Sequence, residues 1–81
     1  MFEGKTINII KPIGGLVAGQ QKTYELWTQG GIVYITSPED VEAIDEVIKQ
    51  VIRMNKRNQE YGKIDLCDYL QYMIDEEGIL N

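Results

Sequence analysis

The spacing of apolar residues changes once along this chain, at Ser37-Pro38, and that change constrains the fold more than any other feature. Before it, apolar residues fall in short, largely alternating runs bounded by glycine and proline. After it, they recur every three or four positions. A period of two puts alternate side chains on opposite faces of a strand, and a period near 3.6 makes a stripe along a helix. The order of the two periods predicts strands first and helices second.

Thr6-Ile7-Asn8-Ile9-Ile10 reads as a strand ended by Pro12, which cannot donate to a ladder. Pro12 to Gly19 then forms a glycine-rich, apolar loop. Lys22 to Thr28 is a second strand, with Tyr24 and Leu26 on one face and Glu25 and Trp27 on the other. Trp27 is therefore expected to be partly exposed. In Gln29-Gly30-Gly31-Ile32 the paired glycines supply the positive φ angles that a tight hairpin needs. Ile32 to Ile35 is the third strand. Short connections favour an antiparallel sheet.

Ser37 is placed to cap the first helix with its hydroxyl, Pro38 suits the first helical position, and Asp40 sits at the capping-box spacing. The stripe of Val41, Ile44, Val47, Ile48, Val51 and Ile52 is wide enough to cover a sheet. The helix is expected to reach Tyr61 and stop at Gly62. Acids fill its first half and bases its second, matching the helix dipole, and Asp45 and Lys49 stand at a pairing distance of one turn. A second helix begins at Asp65, with Asp68 three residues on and Ile64 positioned to staple onto Tyr69. Its apolar face carries Leu66, Cys67, Leu70, Met73 and Ile74, and Gly78 ends it. The predicted fold is α+β, with the order βββαα: a three-stranded antiparallel sheet with two C-terminal helices packed on one face, in a single domain over residues 1–81.

The residue inventory excludes several chemistries. With no histidine, one cysteine and one serine in 81 residues, a Ser-His-Asp triad, a Cys-His pair and a His-bearing zinc site are impossible within this chain. Cys67, on an apolar helix face, reads as an inert small hydrophobe, and a lone cysteine forms no internal disulfide. Asp75-Glu76-Glu77 lacks calcium-loop spacing. No cofactor is expected, and an enzyme is the least expected class, because so short a chain offers little room for a concave pocket. The N-terminal stretch Met1 to Gly15 has no long apolar run, so no membrane span is expected and a cytoplasmic setting is.

Charge carries the functional signal. The net charge is −5, but residues 1–36 sum to +1 and residues 37–81 to −6. From Asp65 onward there are five acids and no base. Such a surface repels nucleic-acid backbones and attracts basic partners. On a helical wheel, Asp65, Asp68, Asp75 and Glu76 fall within roughly a 100° sector opposite the apolar stripe, with Tyr69 and Tyr72 in or beside it. Carboxylates one turn apart sit about 5–6 Å from each other, near the spacing of phosphates along a strand. Tyrosine adds rigid contact area with a polar tip. The expected partner is a basic, nucleic-acid-binding protein whose groove this face occupies as a DNA mimic. The bland alternative is a solubilising helix face.

Gly31-Ile32-Val33-Tyr34-Ile35-Thr36-Ser37, the helix with Val41, Ile44 and Ile48, the string Asn58-Gln59-Glu60-Tyr61 and the acidic, tyrosine-bearing last helix together resemble small phage-encoded Cas9 inhibitors, the anti-CRISPR proteins. The likeness covers roughly the last fifty residues and lies in element order, acidity and short strings. It implies carboxylates placed where an effector's arginines read the short duplex motif beside the target. By position, Glu60, Asp65 and Asp68 would make those contacts.

Two other readings stand beside it. Lys11 with Gly14, Gly15 and Gly19 forms a possible nucleotide-binding loop, although the run fits neither common phosphate-loop pattern and precedes a strand. Alternatively the apolar loop and an exposed strand edge pair with further copies, so that the chain is a monomer or a small homo-oligomer.

Overall fold

Alternation is realised as three strands, β1 (Ile7–Ile13), β2 (Thr23–Thr28) and β3 (Gly31–Ile35), in one antiparallel sheet ordered β1-β2-β3. Two helices follow, α1 (Pro38–Arg57) and α2 (Leu66–Glu77). The computed structural model describes residues 6–15, 17–58 and 62–80. The expected α+β fold with βββαα order is what the chain adopts.

Tyr24 and Leu26 of the central strand point into the core, as their alternation predicts. Ile7 and Ile35 join them from the two edge strands. Val41, Ile44, Val47 and Val51 of α1 cover this face together with Leu70 and Ile74 of α2. Leu26, Ile44 and Leu70 are wholly buried, and each such side chain contributes about 1.5–3 kcal/mol of transfer free energy. Ile52, placed on the stripe by periodicity, is instead 51% exposed. It sits on the shoulder of α1, beyond the width that the small sheet and α2 can cover.

Strand β1 differs from expectation at both ends. It continues through Pro12 to Ile13, with Pro12 in register with Tyr24. Proline is tolerated there because β1 is an edge strand, where a missing N–H need not break a ladder on both sides. Between Ile7 and Ile9 the register shifts, leaving Asn8 as an extra residue. This bulge turns Ile7 into the core and Ile9 out to the open face. It also frees β1 backbone for α2: the Ile7 N–H donates to Gln71 Oε1 at 3.1 Å, and the Asn8 carbonyl accepts from Cys67 Sγ at 3.4 Å.

The hairpin turn also closes differently. Only Gly31 has a positive φ, of 119°, so one glycine rather than two supplies the unusual conformation. Thr28 fixes the turn with its hydroxyl, which accepts from the Gly30 N–H at 3.1 Å and donates to the Gly31 carbonyl at 2.8 Å.

Helix α1 starts at Pro38 as expected, but the Ser37 hydroxyl makes no capping bond; the Ser37 carbonyl accepts from Val41 N–H. The helix ends at Arg57 with Asn58 as its cap, four residues short of the expected Tyr61, which lies outside the described residues. Gly62 has a positive φ of 89° but stands in the connection, not at the helix end. Asp65 caps α2 through its side chain, and Gly78 ends it in the left-handed conformation, both as expected. Beyond that stop, Leu80 holds a positive φ of 63°, uncommon for a residue with a Cβ, while its side chain closes the core.

Both helices cover one face of the sheet, so the other is open. Ile9, Trp27 and Ile32 form one row across it, and Lys11, Glu25 and Tyr34 the next. Trp27 is 38% exposed and donates its indole N–H to Glu25 Oε1 at 3.0 Å. Among the described residues no helix is long and apolar enough to cross a membrane.

Candidate functional site: the outward face of helix α2

Leu70 and Ile74 anchor α2 to the core, which turns the opposite side of the helix to solvent. Asp65, Asp68, Tyr72, Asp75 and Glu76 are all exposed on that side. Tyr69 lies half-buried at its margin. Six of the expected site residues thus share one face; Glu60 lies outside the described residues.

Three local interactions fix the face. The Asp65 carboxylate accepts from the Asp68 N–H at 3.1 Å, satisfying an orphan amide at the helix start. Asn55 of α1 holds the segment just before it with a reciprocal pair: Nδ2 donates to the Ile64 carbonyl at 3.2 Å, and Oδ1 accepts from the Ile64 N–H at 2.6 Å. Tyr69 donates to Gln50 Oε1 across the helix–helix seam at 3.2 Å. Tyr69 and Tyr72 then stack obliquely, with centroids 6.0 Å apart and planes inclined by 31°, within the range of favourable aromatic pairs.

Among the described residues no cation pairs with the carboxylates on this face. The ion pairs among the described residues are Lys22–Asp45 and Lys49–Glu46, and neither involves α2. Asp75 accepts a neutral hydrogen bond from Gln71 Nε2 at 3.2 Å. Among the described residues no group of three or more carboxylate or thiol ligands is arranged to hold a metal ion. Cys67, on the sheet-facing side of α2, has its thiol pKa pushed up, first by burial and then by the charges of Asp65 and Asp68, which leaves it protonated and a poor nucleophile.

Gly14 and Gly15 have positive φ angles and pack against the following segment: a Cβ on Gly14 would lie 2.8 Å from the Gln21 carbonyl oxygen, and one on Gly15 2.9 Å from Lys22 Cβ. Gly19 faces open space. A shallow cavity of about 380 Å³ is lined by Pro12, Gly14, Gly15 and Lys22. Lys11 lies on the open sheet face in register with Glu25, so the cation beside the loop is Lys22 rather than Lys11.

Sequence reasoning missed one polar constellation. Asp45 accepts from both Lys22 Nζ, at 2.8 Å, and the Tyr24 hydroxyl. Lys49, expected to pair with Asp45, approaches Glu46 at 3.6 Å instead. The usable signal was Lys22 two residues before Tyr24, at the entry to β2, with Asp45 at the edge of the α1 stripe. No family model, no curated protein and no solved structure matches this chain.

Proposed function

We propose that the outward face of α2 docks into a basic, nucleic-acid-binding groove of another protein and blocks it, so that the chain acts as a non-enzymatic inhibitor. One observation carries this reading: exposed carboxylates without cationic partners among the described residues share a rigid helix face with the Tyr69–Tyr72 pair. A helix capped at both ends holds its carboxylates at fixed spacing, so little entropy is lost when they meet a row of guanidinium groups. Charge complementarity speeds encounter and sets register, while the tyrosines add apolar area that charge alone does not supply. The face would repel a nucleic acid directly, which is why the partner is the protein that binds one. The resemblance to Cas9 inhibitors names the first partner to try, and a cytoplasmic setting belongs to the same reading.

A gel-shift competition tests it. A Cas9-type effector is bound to labelled target duplex, and the chain is added in increasing amounts at low and then moderate salt. Release of duplex that weakens with salt, and that Asp68→Lys with Glu76→Lys abolishes, is the expected result. Duplex binding unaffected at every concentration removes the effector as target, and a pull-down that returns no basic protein removes the reading.

A further inference from the structure

We propose that a cavity at the C-terminal end of α1 binds a phosphate monoester of mononucleotide size. The last turns of α1 present Gln50, Arg53, Met54 and Arg57 along one side, and Tyr69 of α2 closes the opposite wall. The space between them is about 320 Å³, at the small end of the range for organic ligands.

The lining combines the groups that such a ligand needs. Arg53 and Arg57 stand one turn apart and line the same cavity, a spacing at which two guanidinium forks can share one anion. Neither pairs with an acid among the described residues. Tyr69 donates to Gln50 Oε1, which orients that amide and leaves its Nε2 hydrogens without another partner among the described residues. The cavity therefore offers three side chains that donate, and Met54 and the Tyr69 ring offer apolar surface for a flat group attached to the phosphate.

The helix dipole accounts for bases near the end of α1, as it does for Lys56. The dipole favours bases on any side of these turns; what it does not select is the placing of Arg53 and Arg57 on one side, where they repel each other, beside a cavity that Tyr69 also lines. The surroundings sharpen the contrast: five of the chain's eight bases lie between Lys49 and Lys63, in a protein of net charge −5. This site is separate from the glycine-rich loop and does not depend on the inhibitor reading. It shares only Tyr69 with the acidic face.

The test is a titration of the full-length, ¹⁵N-labelled chain followed by amide resonances, with 5′-AMP as probe. Saturable shifts centred on Gln50, Arg53, Arg57 and Tyr69, at up to about 10 mM ligand, are expected. Adenosine should produce none of them, and inorganic phosphate should move the arginine set but not Tyr69. Arg53→Gln with Arg57→Gln should weaken binding roughly tenfold or more while resonance dispersion is kept, since charge-assisted contacts are lost. Lys56→Gln, a neighbour outside the cavity, should bind as the parent does. A 5′-phosphorylated oligonucleotide that binds as well as 5′-AMP, where its unphosphorylated form does not, would place the phosphate on a chain end rather than a free nucleotide. No shifts over the whole range, equal shifts with adenosine, or binding unchanged in the arginine variant would each overturn the proposal.

Discussion

Lys22 Nζ lies 2.8 Å from Asp45 Oδ1, joining the entry of the central strand to the middle of α1. The same carboxylate accepts from the Tyr24 hydroxyl, and the Lys22 ammonium stands 4.9 Å from the centre of the Tyr24 ring. A pair this exposed adds only about 0–1 kcal/mol by itself. The buried tyrosine raises the stakes, because removing the acceptor takes away the hydrogen-bond partner of its hydroxyl as well as the ion pair. Asp45→Ala should therefore cost about 1–3 kcal/mol, and Tyr24→Phe nearer 1 kcal/mol, in urea unfolding at neutral pH. Equal losses would contradict this account of the triad.

The pH dependence follows from the same three groups. Partial burial pushes the Asp45 carboxyl up, but the hydrogen bonds from Lys22 and Tyr24 outweigh that and hold it below its ordinary 3.8. Its contribution is present above pH 3.8 and is lost as pH falls through the lower, folded value. The hydrogen bond to Asp45 raises Lys22 above 10.5, and burial followed by the Asp45 bond raises Tyr24 above 10.0. Both contributions are complete below these values and are lost as pH rises through the higher, folded ones. Stability measured by urea midpoint should be flat between these limits and fall on both sides. Asp45→Asn should shrink both falls.

Asp65 combines a structural bond with a charge, and the two are separable. Asparagine caps about as well as aspartate, so Asp65→Asn should leave the unfolding midpoint nearly unchanged. Asp65→Ala should cost about 0.5–2 kcal/mol. If partner binding depends on charge, both variants should weaken it alike. Binding that follows stability instead would assign Asp65 to the fold alone.

Cys67 should react slowly with iodoacetamide at neutral pH. Its Sγ is directed at the Asn8 carbonyl, 3.4 Å away, and burial, followed by the charges of Asp65 and Asp68, pushes the thiol pKa up from its ordinary 9.0. Unfolding in urea should bring the rate to that of a free cysteine. Native and unfolded chains reacting alike would show that α2 does not pack on β1 as described.

Much of this molecule was legible from residue spacing. Tyr24 and Leu26 alternate inward, Ile44 and Val47 stripe the helix, and Asp65 and Gly78 mark the limits of α2. These are local signals, each settled by the pattern within a few residues. What escaped depends on position in the sheet or on distant partners. Pro12 stays in β1 because β1 is an edge, and no pattern within the strand says which strand is outermost. Asp45 pairs with Lys22 rather than with Lys49, its neighbour along the helix, because Tyr24 brings β2 against α1 there. The acidic sector of α2 was readable from the wheel alone, whereas the seam that joins Tyr69 to Gln50 needed both helices in place.

The central claim is that the carboxylates of α2 make the partner contact. Its most direct test is the affinity of the chain for a Cas9-type effector, measured against Asp68→Lys with Glu76→Lys, two exposed positions whose side chains neither cap the helix nor enter the core. Circular dichroism and the unfolding midpoint serve as controls of the fold. The account predicts tight, salt-sensitive binding by the parent and a loss of at least roughly 100-fold in the variant, as expected when buried charge pairs become like-charge contacts. A folded variant that binds as well as the parent would contradict it.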